Sequence, residues 1–215
     1  MRHLFLFIVM MLSFHANAQD GYRKMLTDGK EWHCFWNKDM SGDETDGMWL
    51  YNVAVVGDSV INGVTYKKLC REYTETVPKG TERISYFAAR EKDGKVYLYD
   101  NEKGDVTLMD FSLHKGDAVP SFHSQSVLKE DPVEVYGTKY RRLVLSGGGI
   151  WVEGIGCNIF YDTLPYFQME YGTPYVDENY FFTCYDKGKL VFTENDFLSV
   201  ATGLSEIRGA MVRQR

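Results

Sequence analysis

Three short segments of this chain read as β-hairpins, and hairpins strung along a sequence favour an antiparallel architecture. Val60-Ile61-Asn62-Gly63-Val64-Thr65-Tyr66 puts Asn-Gly between two β-branched runs, and both turn residues tolerate the positive φ of a type I′ turn. Residues 90–99 repeat the device with Asp93-Gly94, and residues 185–192 do so with a slightly longer turn around Lys187-Gly188. Further strands are expected at 47–56, 82–90, 106–113, 127–136, 139–146 and 149–154, most of them rich in Val, Ile, Leu, Tyr and Phe. Residues 96–99 are apolar on both faces, which suits a strand buried between layers. No window of helical length carries a 3.6-residue stripe, and only short helical turns are expected, near 22–26 and 196–200. The expected fold is all-β with little helix: an antiparallel meander forming a sandwich or filled barrel of roughly eight to eleven strands.

Composition sets the outer bounds. With 44% hydrophobic residues in 215, the chain has enough apolar surface for one independent core, and disorder is excluded. A formal net charge of -6 and the lack of any basic run exclude a binder of nucleic acid.

Residues 1–18 read as a secretory signal peptide. Arg2 is the charged start, residues 4–14 are apolar apart from Ser13, and Ala16-Asn17-Ala18 is a small-x-small cleavage site. The apolar run is too short to span a bilayer, and no later stretch serves as a transmembrane segment once the signal is removed. Residues 19–201 then form a single all-β domain, followed by a polar tail at 202–215. Export leads to the periplasm, the cell surface or the exterior.

The exported chain keeps Cys34, Cys70, Cys157 and Cys184, and an oxidising compartment permits two disulfides. Cys157 with Cys184 is the preferred pair because both flank one aromatic segment, leaving Cys34 with Cys70; buried free thiols are the alternative. The spacing contains no C-x-x-C, so zinc is not indicated.

Two regions interrupt the strand rhythm. Residues 37–47 form an acidic loop whose Asn37-x-Asp39-x-Ser41-Gly42 resembles half a calcium loop, but Met48 stands where a bidentate Glu is required. Residues 158–182 carry nine Phe or Tyr residues and two prolines. Within them Tyr161, Tyr166, Tyr171 and Tyr175, with Glu170 and Asp177 nearby, could stack on a sugar and hydrogen-bond its hydroxyls; the plainer reading is a cap on the sheet.

Glu153, beside Trp151, is the one candidate for a raised-pKa general acid, with Asp110, Asp117 or Asp162 as its second carboxylate. The plainer reading ties Glu153 to a turn, Arg141 or Arg142. Motifs of hydrolases, zinc proteases and nucleotide binders are absent, and nothing calls for a cofactor or a metal. Gly47-Met48-Trp49 matches the short G-x-W of lipocalins.

Four segments together resemble a family of uncharacterised secreted proteins from Bacteroidetes: 25–32 (MLTDGKEW), 57–69 (GDSVINGVTYKKL), 109–117 (MDFSLHKGD) and 151–156 (WVEGIG). The resemblance implies export and transfers no catalytic residue. Related chains often continue into a sorting domain for type IX secretion; residues 202–208 resemble its lead-in, and the domain itself is truncated or absent here. Ser59 and Thr163 sit in Asp-Ser/Thr-apolar tripeptides that resemble the O-glycosylation pattern of these bacteria.

The expectation is an exported, non-catalytic binding or interaction module of the cell envelope or exterior, with a glycan or protein partner. The alternatives are a lipocalin-like small-molecule binder and a polysaccharide or peptide hydrolase.

Overall fold

The computed structural model describes residues 21–38, 47–120, 125–161 and 177–198; residues 36–38, 47, 159–161, 177–182 and 198 are described by their backbone. Residues 1–18, expected to be a signal peptide, the tail 202–215 and residues 39–46 of the expected acidic loop lie outside these residues; Asn37, Lys38 and Gly47, expected in that loop, are strand.

The chain is an all-β sandwich. Its larger sheet opens with a meander of six strands: β1 (Lys30–Lys38), β2 (Gly47–Ile61), β3 (Val64–Tyr73), β4 (Ile84–Lys92), β5 (Lys95–Asp100) and β6 (Gly104–Asp110). The smaller sheet follows as a second meander, β7 (Val127–Val135), β8 (Thr138–Leu145), β9 (Ile150–Val152) and β10 (Gly156–Cys157). The chain then returns to the larger sheet as β11 (Ile159–Tyr161), β12 (Asp177–Asp186) and β13 (Lys189–Thr193), and ends in a short helix α1 (Glu194–Leu198). β12 pairs with β1 along one edge, while its other edge is shared by β11 and β13. All pairings are antiparallel. Of the thirteen described strands, three have only two or three residues, which leaves ten of regular length.

Turn chemistry explains the hairpins. Asn62-Gly63 and Asp93-Gly94 hold positive φ at both positions, as the type I′ turn demands. Lys187-Gly188 (φ 51° and 76°) does the same as a two-residue turn, tighter than expected, because Asp186 pairs directly with Lys189. A fourth such turn, Tyr136-Gly137, joins β7 to β8.

The two sheets enclose one core. Trp32, Tyr73, Val96 and Leu98 from the larger sheet meet Leu143, Trp151 and Val152 from the smaller one. Phe111 and Trp151 stack edge-to-face at 6.1 Å, and the Trp32 indole donates to the Ile155 carbonyl at 2.7 Å. Phe192 and Phe197, fully buried, close one side of the sandwich below α1. On β5 the alternation is strict: Val96 and Leu98 face the core, Tyr97 and Tyr99 the outside.

Residues 22–26 are not helical. They form an extended strap bridging the two sheets, because the backbone amides needed for a helical turn are bonded elsewhere. Met25 and Leu26 donate to the Glu91 carboxylate at 2.7 and 3.0 Å, and the Arg23 amide donates to Glu153 at 2.5 Å.

Neither expected disulfide is present, since all four cysteines are free thiols. Cys34 faces the core from β1, whereas Cys70 lies beyond β2 on β3 and faces outward beside Ala54 and Tyr86. Two strand spacings, about 9.5 Å, and opposite faces exceed the reach of a bridge. Cys157 lies in the smaller sheet and Cys184 in the larger, with their sulfurs directed to Asn158 Oδ1 and the Tyr185 carbonyl, both at 3.8 Å. Burial pushes the Cys34 and Cys184 thiols up to about 12.

Candidate functional site

Glu153 occupies the turn between β9 and β10, where it is 8% exposed and accepts the Arg23 amide. The Arg23 guanidinium packs on the Tyr140 ring at 5.1 Å. The two arginines expected to hold Glu153 serve other carboxylates. Arg141 binds Glu130 and the carbonyls of Phe111 and Leu113, and Arg142 grips Asp131 through two bonds of 2.8 and 2.6 Å.

The expected second carboxylates are also engaged. Asp110 accepts Lys95 at 2.8 Å and the Ser112 amide at 2.9 Å; burial alone would raise its pKa, but these bonds outweigh it and hold the carboxyl below the usual range. Asp117 accepts the His114 amide in its own loop. Asp162 lies outside the described residues. Glu153 and Asp110 therefore serve different local structures: the strap and turn in one case, a cross-strand ion pair on β5 and β6 in the other.

The aromatic segment is only partly described. Its ends are strands: Tyr161 closes β11 and Asp177 opens β12, while Tyr166, Glu170, Tyr171, Tyr175 and Thr163 lie outside the described residues. Ser59 is half-buried on β2, opposite Tyr66. The strand ends carry the useful geometry. Lys38 pairs with both Gly47 and Asp177, and Tyr161 pairs with Glu178. The segments 39–46 and 162–176 thus attach to one end of the larger sheet, on neighbouring strands.

The outward face of that sheet carries side chains that the sequence reading did not single out. Met48 and Leu50 on β2 are exposed near the same end, and Ile84 and Tyr86 on β4, level with Asn52 and Ala54 of β2, are exposed farther in, Tyr86 by 59%. Farther along, Arg90 on β4 stands opposite Tyr97 on β5 and ion-pairs with Asp105 on β6. Its guanidinium lies over the rings of Tyr66 and Tyr97, at 5.6 and 5.5 Å. The Tyr66 hydroxyl donates to Asp105 at 2.8 Å, and its ring meets Tyr99 edge-on at 5.4 Å. Burial, with the Asp105 bond, raises the Tyr66 hydroxyl above its ordinary value. Burial would raise Asp105 as well, yet the bonds from Arg90 and Tyr66 bring it below the carboxylate range.

The result is a cluster of rings and paired charges on the outward face, with Tyr66 buried and Tyr97 and Tyr99 half-buried, in which Arg90, Asp105 and Tyr66 bond to one another. The signal available in sequence was Tyr97-x-Tyr99 beside a hairpin; its outward facing follows only from the register.

Among the described residues no group of three or more His, Cys, Asp or Glu side chains is placed to hold a metal ion, and no helix is long and apolar enough to cross a membrane. The chain matches no protein-family model, no curated protein and no solved structure.

Proposed function

We propose that this chain is an exported, non-catalytic binding module of the bacterial cell envelope or exterior, akin to the secreted Bacteroidetes proteins it resembles. In this reading a rigid sandwich presents one end and the outward face of its larger sheet to a glycan or protein partner. The observation that carries it is the convergence of strand ends. Lys38, Gly47, Tyr161 and Asp177 bring the attachment points of the acidic and the aromatic segment together, beside the exposed Met48 and Leu50 on β2. Exposed apolar side chains gathered in one place commonly mark an interaction surface.

A hydrolase is less well supported, because Glu153 is spent on the strap and Asp110 on Lys95. A lipocalin-like chamber between the sheets is disfavoured by the side chains that fill that space, among them Trp151, Tyr73 and Phe192.

The reading is tested by expressing the full chain in a Bacteroidetes host and probing the exported product against a glycan array and against envelope proteins by crosslinking. Export with cleavage before Gln19, followed by saturable binding of a glycan or one protein, is the expected result. Retention of residues 1–18 in the cytoplasm overturns it.

A further inference from the structure

Only one asparagine of the chain, Asn62, is followed by a glycine, and the fold leaves that pair bare. Both residues are exposed at the tip of the β2–β3 hairpin, with φ of 51° and 77°. Nothing lies within 4 Å of the place a Cβ would take on Gly63. Among the described residues no hydrogen bond engages the Asn62 side-chain amide or the Gly63 nitrogen.

The hairpin at Asp93-Gly94 has almost the same backbone, with φ of 53° and 75°, but it is packed. A Cβ on Gly94 would meet the Ser112 nitrogen at 3.6 Å, and the Phe111 amide donates to the Gly94 carbonyl at 2.8 Å. No such brace restrains the Asn62 tip, so its local opening costs little. Opening matters because the Gly63 nitrogen reaches the Asn62 Cγ only when Asn62 rotates out of the turn. The missing Cβ of Gly63 removes the steric block that any other residue would place beside that nitrogen.

We infer that Asn62-Gly63 is a self-modification site, at which Asn62 deamidates through a cyclic imide. The Gly63 nitrogen bonds to Asn62 Cγ, the Cγ–Nδ2 bond breaks, and ammonia leaves with the Gly63 amide proton. Water then opens the ring, and no electrons are transferred. Breaking the new N–Cγ bond gives aspartate at position 62 with the backbone restored. Breaking the original peptide bond instead leaves the chain running through Cγ as isoaspartate. Either product adds a negative charge to the hairpin tip. The aspartyl product keeps the turn, since Asp93-Gly94 shows that Asp-Gly adopts it. The isoaspartyl product inserts a methylene into a two-residue loop and parts the Ile61–Val64 pairing that closes β2 on β3.

The test incubates the purified full chain in mildly alkaline buffer and follows it by isoelectric focusing and peptide mass spectrometry, beside Asn62→Gln and Asn62→Asp variants. A more acidic species is expected to grow in the parent, with NH2 exchanged for OH at Asn62 before any other asparagine, and to be lost in Asn62→Gln. Asn62→Asp should focus with that species and melt with the parent. An acidic species that arises first at another asparagine, or persists undiminished in Asn62→Gln, overturns the site. Asn62 staying intact in the folded chain while it converts in urea would mean that the closed turn protects it, and overturns the site equally. A lower melting temperature for Asn62→Asp overturns the retained turn.

Discussion

The hydroxyl of Tyr22 donates to the carboxylate of Glu91 at 2.5 Å, joining the start of the described chain to β4 across 69 residues of sequence. Glu91 accepts the Met25 and Leu26 amides as well, so one carboxylate anchors most of the strap. Burial, reinforced by Glu91, pushes the Tyr22 hydroxyl far above its ordinary value and keeps it a donor. The strap closes the sandwich because its other anchor, Glu153, belongs to the smaller sheet.

Replacing Glu91 should therefore loosen both sheets. Glu91→Ala removes three acceptor contacts, two of them to backbone amides, and should destabilise the fold by about 3 kcal/mol. For a chain of this size that lowers the melting temperature by about 6–12 °C. Glu91→Gln keeps an acceptor and should lose less. A circular-dichroism melt of Glu91→Ala that overlays the parent would remove the anchor from this account.

Asp131 and Arg142 make a second prediction. Arg142 is 1% exposed and also donates to the Phe197 carbonyl at 3.2 Å, tying β8 to α1. Asp131→Ala strands this buried guanidinium and should cost about 3–5 kcal/mol. The Asp131→Leu/Arg142→Met double variant removes both charges and should recover much of that loss. Denaturant titration distinguishes the two; equal destabilisation would mean that the charges themselves are not what matters.

Acid stability follows from the same carboxylates. Asp105, Asp110 and Asp131 have burial as the largest influence raising their pKa, outweighed in each case by bonds from cationic partners, while Glu130 is lowered first by Arg141. A depressed folded-state pKa contributes stability above the unfolded value and loses it as pH falls through the folded one. Unfolding free energy from these groups should thus hold at neutral pH and decline below about pH 4. Asp131→Asn should flatten that decline; an unchanged acid limb would exclude Asp131 as a contributor.

Thiol chemistry separates the cysteines. Cys34 and Cys184, buried and with thiols near 12, should resist alkylation at pH 8, whereas half-buried Cys70 on the outward face should react first. Mass spectrometry after alkylation under denaturing, non-reducing conditions should find four modified cysteines. A mass lower by two or four hydrogens before alkylation would show disulfides and contradict the four free thiols.

The legible part of the fold was its local part. Asn62-Gly63 and Asp93-Gly94 announce their hairpins because the turn itself selects those residues. Tyr136-Gly137 gives no such notice, since a tyrosine at φ 49° goes against its intrinsic preference and is held there by the pairing of Val135 with Thr138. The register of β1 against β12 joins Lys30 to Asp186, and nothing local encodes so distant a partner. The registers of β1 on β2 and of β2 on β3 decide facing in the same way, and they put Cys34 and Cys70 on opposite faces, which nothing local in the sequence encodes. Glu153 was legible as a turn residue, but its partner is the backbone amide of Arg23, a group that every residue type but proline supplies. The outward row of Tyr66, Arg90 and Tyr97 draws on three strands, so it exists only once the strands are in register.

The most direct test of the proposal that this sandwich binds through the outward face and one end of its larger sheet is a backbone-amide NMR titration of the purified protein with whichever glycan or envelope protein binds it in the array and crosslinking experiments. Shifts concentrated at Met48, Leu50, Ile84 and Tyr86, and at the strand ends Lys38 and Asp177, are the predicted result. Shifts centred on Glu153 and the strap, with those positions unmoved, would contradict it.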